Sequence, residues 1–369
     1  MTEEDKVEND ESVENDVVED EAEQDESVPP VSYDVTSYGS DPDVEGLVRR
    51  IKRGDILIPP FQRDYVWRQP EASRFIESLL LGLPVPGVFF ATDPETNKLL
   101  VIDGQQRLKS LLFFYDGYFN PRPDDKRRRV FNLVKVQEPF EGKTYTDLDE
   151  RDRIRLDNSI IHATIVKQTS PPGDDTSLYH IFQRLNSGGR LLVAQEMRVA
   201  LYHGPLMDRI RNLNEYSSWR HIFGKPNPRL KDQELILRFF ALYSRQESYS
   251  RPMEEFLNKF AGRNRRPDEL YFEGLTSLFK RCCDIFWEAL GQEAFRPTRA
   301  LNAAVFDSCM VGLAHRVKDD KPVEPNKIKE IYEALLKDTQ YFQATSRSTA
   351  DEAFVIRRLT RAHEAFSKA

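Results

Sequence analysis

The run Val101-Ile102-Asp103-Gly104-Gln105-Gln106-Arg107 brings together the groups that anion chemistry needs. An apolar stretch enters Asp-Gly and passes at once into residues with helical spacing. The first backbone N–H groups of such a helix lack intrahelical partners and carry the positive end of its dipole. Gly104 permits a sharp turn and a close approach of backbone to ligand. Arg107, in the first turn, adds a planar guanidinium fork matched to phosphate oxygens. Together these features predict a phosphate cradle built without a P-loop. Asp103 has two readings that the sequence leaves open. It caps the helix, or it serves Mg²⁺ or an attacking water.

Two further blocks carry groups of the same kind. Ile58-Pro59-Pro60-Phe61-Gln62-Arg63-Asp64-Tyr65-Val66-Trp67 sets an amide and a guanidinium side by side on a chain that two prolines hold extended. Its aromatic residues either pack the segment onto the body or stack on a base. Phe182-Gln183-Arg184-Leu185-Asn186-Ser187-Gly188-Gly189-Arg190 reads as a helix end followed by exposed N–H groups. Arg184, Asn186 and Arg190 are candidate contacts to phosphate or ribose, and Glu196 a candidate partner for an arginine of the cradle. A plain helix C-cap accounts fully for the two glycines but not for the surrounding charges. Three basic runs, Lys126–Arg129, Lys225–Lys231 and Arg263–Arg266, are candidate DNA phosphate contacts.

The elements that must position these groups follow from apolar spacing. Helices are expected from Val44 to a stop at Gly54 and over 71–81, 105–115, 149–156 and 177–185, and strands at 56–58, 85–91, 99–102, 130–137 and 160–167. The turn-rich stretch 93–97 makes 85–91 and 99–102 a hairpin. Beyond about Gln195 the pattern is helical throughout, including 253–261, 269–290, 299–316 and 326–342. The expected fold class is therefore α+β, a mixed α/β N-terminal domain at 40–194 followed by an all-helical domain at 195–369.

Charge sets the first thirty residues apart. They hold 14 acidic groups and one Lys, whereas the other 339 hold 52 Lys+Arg against 47 Asp+Glu. A net of −13 on a segment without aromatics predicts a disordered acidic tail at 1–30. The tail either solubilises the chain or mimics nucleic acid over a basic groove. The longest uncharged apolar run, Ser78–Thr92, contains Pro84 and Pro86 and is too short to span a bilayer, so no membrane partner is expected. Three cysteines, two of them adjacent, and six scattered histidines form neither a disulfide framework nor a compact metal knuckle. With Met1 leading straight into Thr2-Glu3-Glu4-Asp5, the expected location is the reducing cytoplasm.

Taken in order, I-P-P-F-Q-R-D-Y-V-W, E-S-L-L-L-G-L-P-V-P, V-I-D-G-Q-Q-R-L and F-Q-R-L-N-S-G-G resemble one family. It is the ParB/sulfiredoxin-like N-terminal domain of GmrSD-type, modification-dependent restriction proteins, and the resemblance covers about residues 40–245. The resemblance implies a nucleotide-binding, NTP-hydrolysing module that acts with Mg²⁺ in defence against foreign DNA. It also implies that Asp103, Gln105, Gln106 and Arg107 form the nucleotide site with Gln62 and Arg63. Full-length proteins of this kind carry a C-terminal HNH nuclease. Here only His221, His315 and His363 follow Leu206, without the spacing of such a centre. The expected cutting subunit is thus a separate chain. The alternative is a non-catalytic DNA-binding or assembly module gated by nucleotide. A nuclease built on the ParB-like fold itself ranks last, because no carboxylate cluster or His pair is evident.

Overall fold

The computed structural model describes residues 18–19, 34–58, 65–93, 96–121, 125, 127–170, 179–181, 193–318 and 323–369. The chain divides into two compact units, Ser32–Leu192 and Val193–Ala369, and Met1–Val31 groups with the second. The first strand, β1 (Val18–Glu19), accordingly belongs to the helical unit.

The α+β unit runs β2 (Asp34–Ser40), α1 (Val44–Lys52), β3 (Ile56–Leu57), α2 (Gln69–Leu80), β4 (Val88–Thr92), β5 (Leu99–Asp103), α3 (Gln105–Asp116), α4 (Glu150–Asp157) and β6 (Ala163–Ser170). Its sheet has the order β2-β6-β4-β5-β3. Strands β2/β6 and β4/β5 are antiparallel, whereas β6/β4 and β5/β3 are parallel. The expected hairpin is present, with Asp93 N–H bonded to the Lys98 carbonyl and Asn97 in the left-handed region. Val44, Leu47, Ile76, Leu80, Val101, Leu108, Leu111 and Phe114 bury the apolar faces of α1, α2, β5 and α3 in one core. Burying an aliphatic side chain of this size contributes about 1.5–3 kcal/mol, so the end of β5 and the start of α3 are held in place.

Two local expectations are corrected. Residues 130–137 form no strand. Phe131 and Leu133 are buried, but Lys135 takes φ +57° and breaks the extended run, and Leu133 instead exchanges backbone bonds with Gly142 and Lys143. In turn β2 lies N-terminal to the first expected element, the helix that begins at Val44. It is a polar edge strand, and a single partner, β6, supplies its ladder.

The helical unit comprises α5 (Ala194–Leu201), α6 (Pro205–Asn214), α7 (Ser217–Phe223), α8 (Lys231–Arg245), α9 (Met253–Arg263), α10 (Glu269–Leu290), β7 (Leu301–Asn302), α11 (Ala303–Val317), α12 (Pro325–Lys337), α13 (Thr339–Ser346) and α14 (Glu352–Phe366). The stretch read as one helix over 326–342 breaks at Asp338, whose side chain accepts from Tyr341 N–H and starts α13. Likewise α11 begins at Ala303, not 299, because Asn302 caps it. Two ion networks lie inside this unit. Arg198 bonds Glu234 (2.8 Å) and Asn258 (2.7 Å), and Asp307 takes both Arg238 (2.8 Å) and Arg358 (3.3 Å). The α+β class with a helical C-terminal region is the fold observed. Among the described residues, no helix is long and apolar enough to cross a membrane.

Candidate functional site

Strand β5 delivers Asp103 to the rim of the sheet, where it pairs with Phe89 of β4. Gly104 then takes φ +96°, ψ 10° and starts α3. Only glycine fits here, because a Cβ would stand 2.5 Å from Val88 Cγ1 and the left-handed backbone disfavours any side chain. Among the described residues no side chain caps α3, and its first turn holds no acidic residue. No carboxylate thus occupies the cap position or the first turn, and the nearest protein anion to its N-terminal dipole is Asp103, one residue before the cap.

The open question about Asp103 is answered by its bonds. It does not cap the helix. Its Oδ2 accepts from Arg107 Nη2 at 2.8 Å, across one helical turn. The same Nη2 donates to the Gly87 carbonyl at 2.9 Å. Gly87 is itself fixed by close approach to His162, just before β6, whose carbonyl a Cβ would meet at 2.6 Å. Arg107 is thus a clamp between the helix start and the end of the β4 lead-in. The Asp103 side chain remains 49% exposed and that of Arg107 16%. Arg107 Nε is buried without a hydrogen-bond partner.

Gln105 is buried, and Gln106 is a positioning residue. Its Oε1 accepts from the N–H groups of Val66 (3.1 Å) and Trp67 (3.3 Å). One residue earlier, Tyr65 is buried against Phe113 and Phe119. Its hydroxyl lies 2.6 Å from Ser110 Oγ, which donates to the Gln106 carbonyl. Burial pushes the Tyr65 phenol up to about 12. Trp67 packs edge-on to Phe75. For Tyr65 and Trp67 the aromatic residues of this block therefore pack onto the body. Gln62 and Arg63 lie outside the described residues, as does Phe61. Val66 and Trp67 are fastened by Gln106 to the first turn of α3.

Gln106→Ala removes that fastening without opening a core cavity. Two backbone N–H groups lose their acceptor, and the expected cost is about 1–2 kcal/mol. If Gln62 and Arg63 bind ligand, KM for nucleotide should rise more than kcat falls. Steady-state kinetics beside a urea melt checks both expectations.

The third block, with Arg184, Asn186 and Arg190, lies outside the described residues. Glu196 lies within them and is corrected: its carboxylate pairs with Arg229 (3.1 Å) and accepts from Val193 N–H (2.8 Å). The partner is 33 residues away, a pairing that only the tertiary fold supplies. The basic run 225–231 is correspondingly less free than its sequence suggests, because Lys231 also pairs with Glu234 (2.8 Å). Arg265 is buried on the His203 carbonyl. Arg128 and Arg129 are exposed, stacked over Tyr118 and Phe119. Of the three C-terminal histidines, His221 lies against Trp287, and His315 and His363 lie against each other.

Among the described residues, no group of three His, Cys, Asp or Glu side chains is arranged to hold a metal. A half-exposed carboxylate such as Asp103 suits Mg²⁺ that arrives with phosphate ligands and keeps most of its water, not a resident ion in a protein cage. The residues that sequence reasoning missed are Gly87 and Val88. The first offers only a carbonyl and the second only a surface, and neither leaves a chemical signature in sequence.

Residues 44–203 match the family described as GmrSD restriction endonuclease, N-terminal domain. The chain is also similar to an uncharacterized protein of Methanocaldococcus jannaschii, with 26% identity over 137 residues, 31% of this chain and 21% of the relative. It thus spans about a fifth of that relative's length. The matched region contains the whole Asp103–Arg107 clamp and the segment that Gln106 holds, so the part of the chain that carries the candidate site is the part similar to GmrSD restriction endonuclease N-terminal domains.

Proposed function

We propose that the α+β unit binds a nucleoside triphosphate with Mg²⁺ at the start of α3 and hydrolyses it, as the regulatory module of a restriction system whose cutting subunit is a separate chain. The observation that carries this reading is the α3 N-terminus that begins at Gly104 without a side-chain cap, with the half-exposed Asp103 and its largely buried partner Arg107 beside it. An anionic ligand there meets backbone N–H groups aligned with the dipole and a guanidinium that sheet contacts have already oriented.

In hydrolysis a water attacks the terminal phosphorus and the bond to the bridging oxygen breaks. Negative charge then builds on the departing oxygen. The N–H groups at 105–107 and the Arg107 fork stabilise charge at that position, and they do so without reorganising. Asp103 orients Arg107 and offers one carboxylate oxygen to a water or to the incoming cation. Bound Mg²⁺ supplies neutralisation of the phosphate oxygens.

The commitment of Arg107 Nη2 to both Asp103 and Gly87 favours a second reading. A guanidinium already satisfied within the protein suits a switch that binds nucleotide and changes DNA or partner contacts without turnover. Incubation of the purified chain with each of the four NTPs and Mg²⁺, beside Asp103→Ala and Arg107→Ala, separates the two. Phosphate release that both substitutions abolish supports the hydrolase. Binding without release moves the conclusion to the switch, and neither binding nor release removes both.

A further inference from the structure

The acidic segment 1–30 has no part in the site described above, yet two of its residues have a defined contact. Val18 and Glu19 pair in parallel with Leu301 and Asn302 of the helical unit. The charge balance is uneven in the same sense. Residues 31–192 hold 23 Lys+Arg and 23 Asp+Glu, whereas residues 193–369 hold 29 against 24. The whole positive excess of the body therefore lies on the unit with which the −13 segment groups.

The receiving edge is rigid. Asn302 Oδ1 caps α11 through Val305 N–H (2.9 Å), its Nδ2 donates to the Thr345 carbonyl (3.0 Å), and its backbone N–H donates to Phe295 (2.9 Å). Leu301 is fully buried. With both side chains committed, pairing falls to the backbone, which selects an extended chain and not a particular sequence. Selection for an acidic one comes from what flanks the edge. Arg299 is exposed two residues before it. Arg296 donates to the carbonyls of Ile222 (2.8 Å) and Phe223 (3.3 Å), which ties the edge to the segment that leads into exposed Lys225.

We propose that the Leu301–Asn302 edge is a docking surface for the chain's own acidic N-terminal segment, which screens the basic face of the helical unit from DNA phosphates. The segment is tethered, so its effective concentration lies in the millimolar range and a short backbone pairing suffices to hold it. Each cation that faces the segment is one fewer available to release counterions from DNA. The proposal is independent of the nucleotide reading.

The test uses the full chain. A photoreactive p-benzoylphenylalanine in place of Val18 is expected to cross-link within residues 296–302, mapped by mass spectrometry. In parallel, the affinity for a short DNA duplex is measured across a salt series for the wild type, for Glu19→Gln, and for Val18→Pro combined with Glu19→Pro. The two prolines remove both N–H groups of β1, and the segment keeps nearly all of its charge. The double variant is expected to bind DNA roughly threefold or more tightly at low salt, the worth of one weak hydrogen-bonded contact. Its salt dependence should also be steeper, while Glu19→Gln follows the wild type. A cross-link that maps outside 296–302, or equal affinity of the wild type and the double variant, overturns the proposal. Phosphate release measured on the same proteins reports on the nucleotide site alone.

Discussion

Arg107→Ala is expected to lower NTP turnover by at least about 100-fold, the usual cost of losing one preorganised donor to developing charge. Two bonds and one buried, unpartnered N–H make this position sensitive. Arg107 holds Asp103, holds the Gly87 carbonyl, and keeps its Nε buried without a partner. Loss of the side chain frees Asp103, which then adds an unpaired negative charge where phosphate must approach. Binding should therefore weaken together with turnover. Arg107→Lys keeps the charge but not the fork, and one ammonium cannot reproduce the planar bridge between Asp103 and Gly87. The lysine variant should recover more of the binding than of kcat. Asp103→Asn separates the two roles of the carboxylate, because the amide still accepts from Arg107 but carries no charge toward Mg²⁺. Kinetics with each NTP, beside circular dichroism to confirm the fold, reads all three variants. Unchanged kcat in Arg107→Ala would leave the arginine no part in the chemistry.

The second large effect concerns stability. Asp307 is fully buried and carries two arginines, Arg238 from α8 and Arg358 from α14. Arg358 is fully buried too, and it also donates to the Thr349 carbonyl. Burial pushes the Arg358 guanidinium down from its ordinary value, and Asp307 opposes that shift. Asp307→Ala leaves two buried cations without their shared anion, a loss of about 3–5 kcal/mol. Domains have only about 5–15 kcal/mol in hand. For a unit of this size the melting midpoint should fall by about 10 °C or more. Replacement of all three residues by apolar ones of similar volume should cost far less, because no charge is then stranded. Calorimetry on the single and triple variants checks the contrast. Equal losses in both would show that packing, not stranded charge, sets the cost.

How far the sequence leads depends on whether local or distant groups decide an outcome. Helices such as α2 and α10 are legible because an apolar stripe at helical spacing is a local property, and Glu269–Leu290 falls where it is expected. The hairpin of β4 and β5 is legible from its turn residues. The start of α3 is legible for the same reason, since Asp-Gly after an apolar strand fixes both the turn and the open helix end. β2 is not, because its polar residues gain extended structure only from pairing with β6 more than a hundred residues later. The run 130–137 misleads in the opposite direction. Its apolar residues do reach the core, but no neighbouring strand offers a ladder, and Lys135 turns the chain away.

The candidate site divides along the same line. That Asp103 and Arg107 lie one helical turn apart follows from their spacing. That Asp103 grips Arg107 instead of capping α3 depends on Gly104 taking the cap position and on the Gly87 carbonyl waiting across the sheet. The service of Gln106 to Val66 and Trp67 rests on a contact between residues about forty apart. Glu196 misled because its sequence neighbourhood suggested the cradle, whereas the helical unit supplies Arg229.

Amide hydrogen exchange on the full chain, with and without a saturating NTP and Mg²⁺, tests the central claim most directly. Slowed exchange at residues 104–107, together with Val66 and Trp67, which Gln106 fastens, is the predicted result. Nucleotide binding that protects another part of the chain and leaves the start of α3 unchanged would contradict the account.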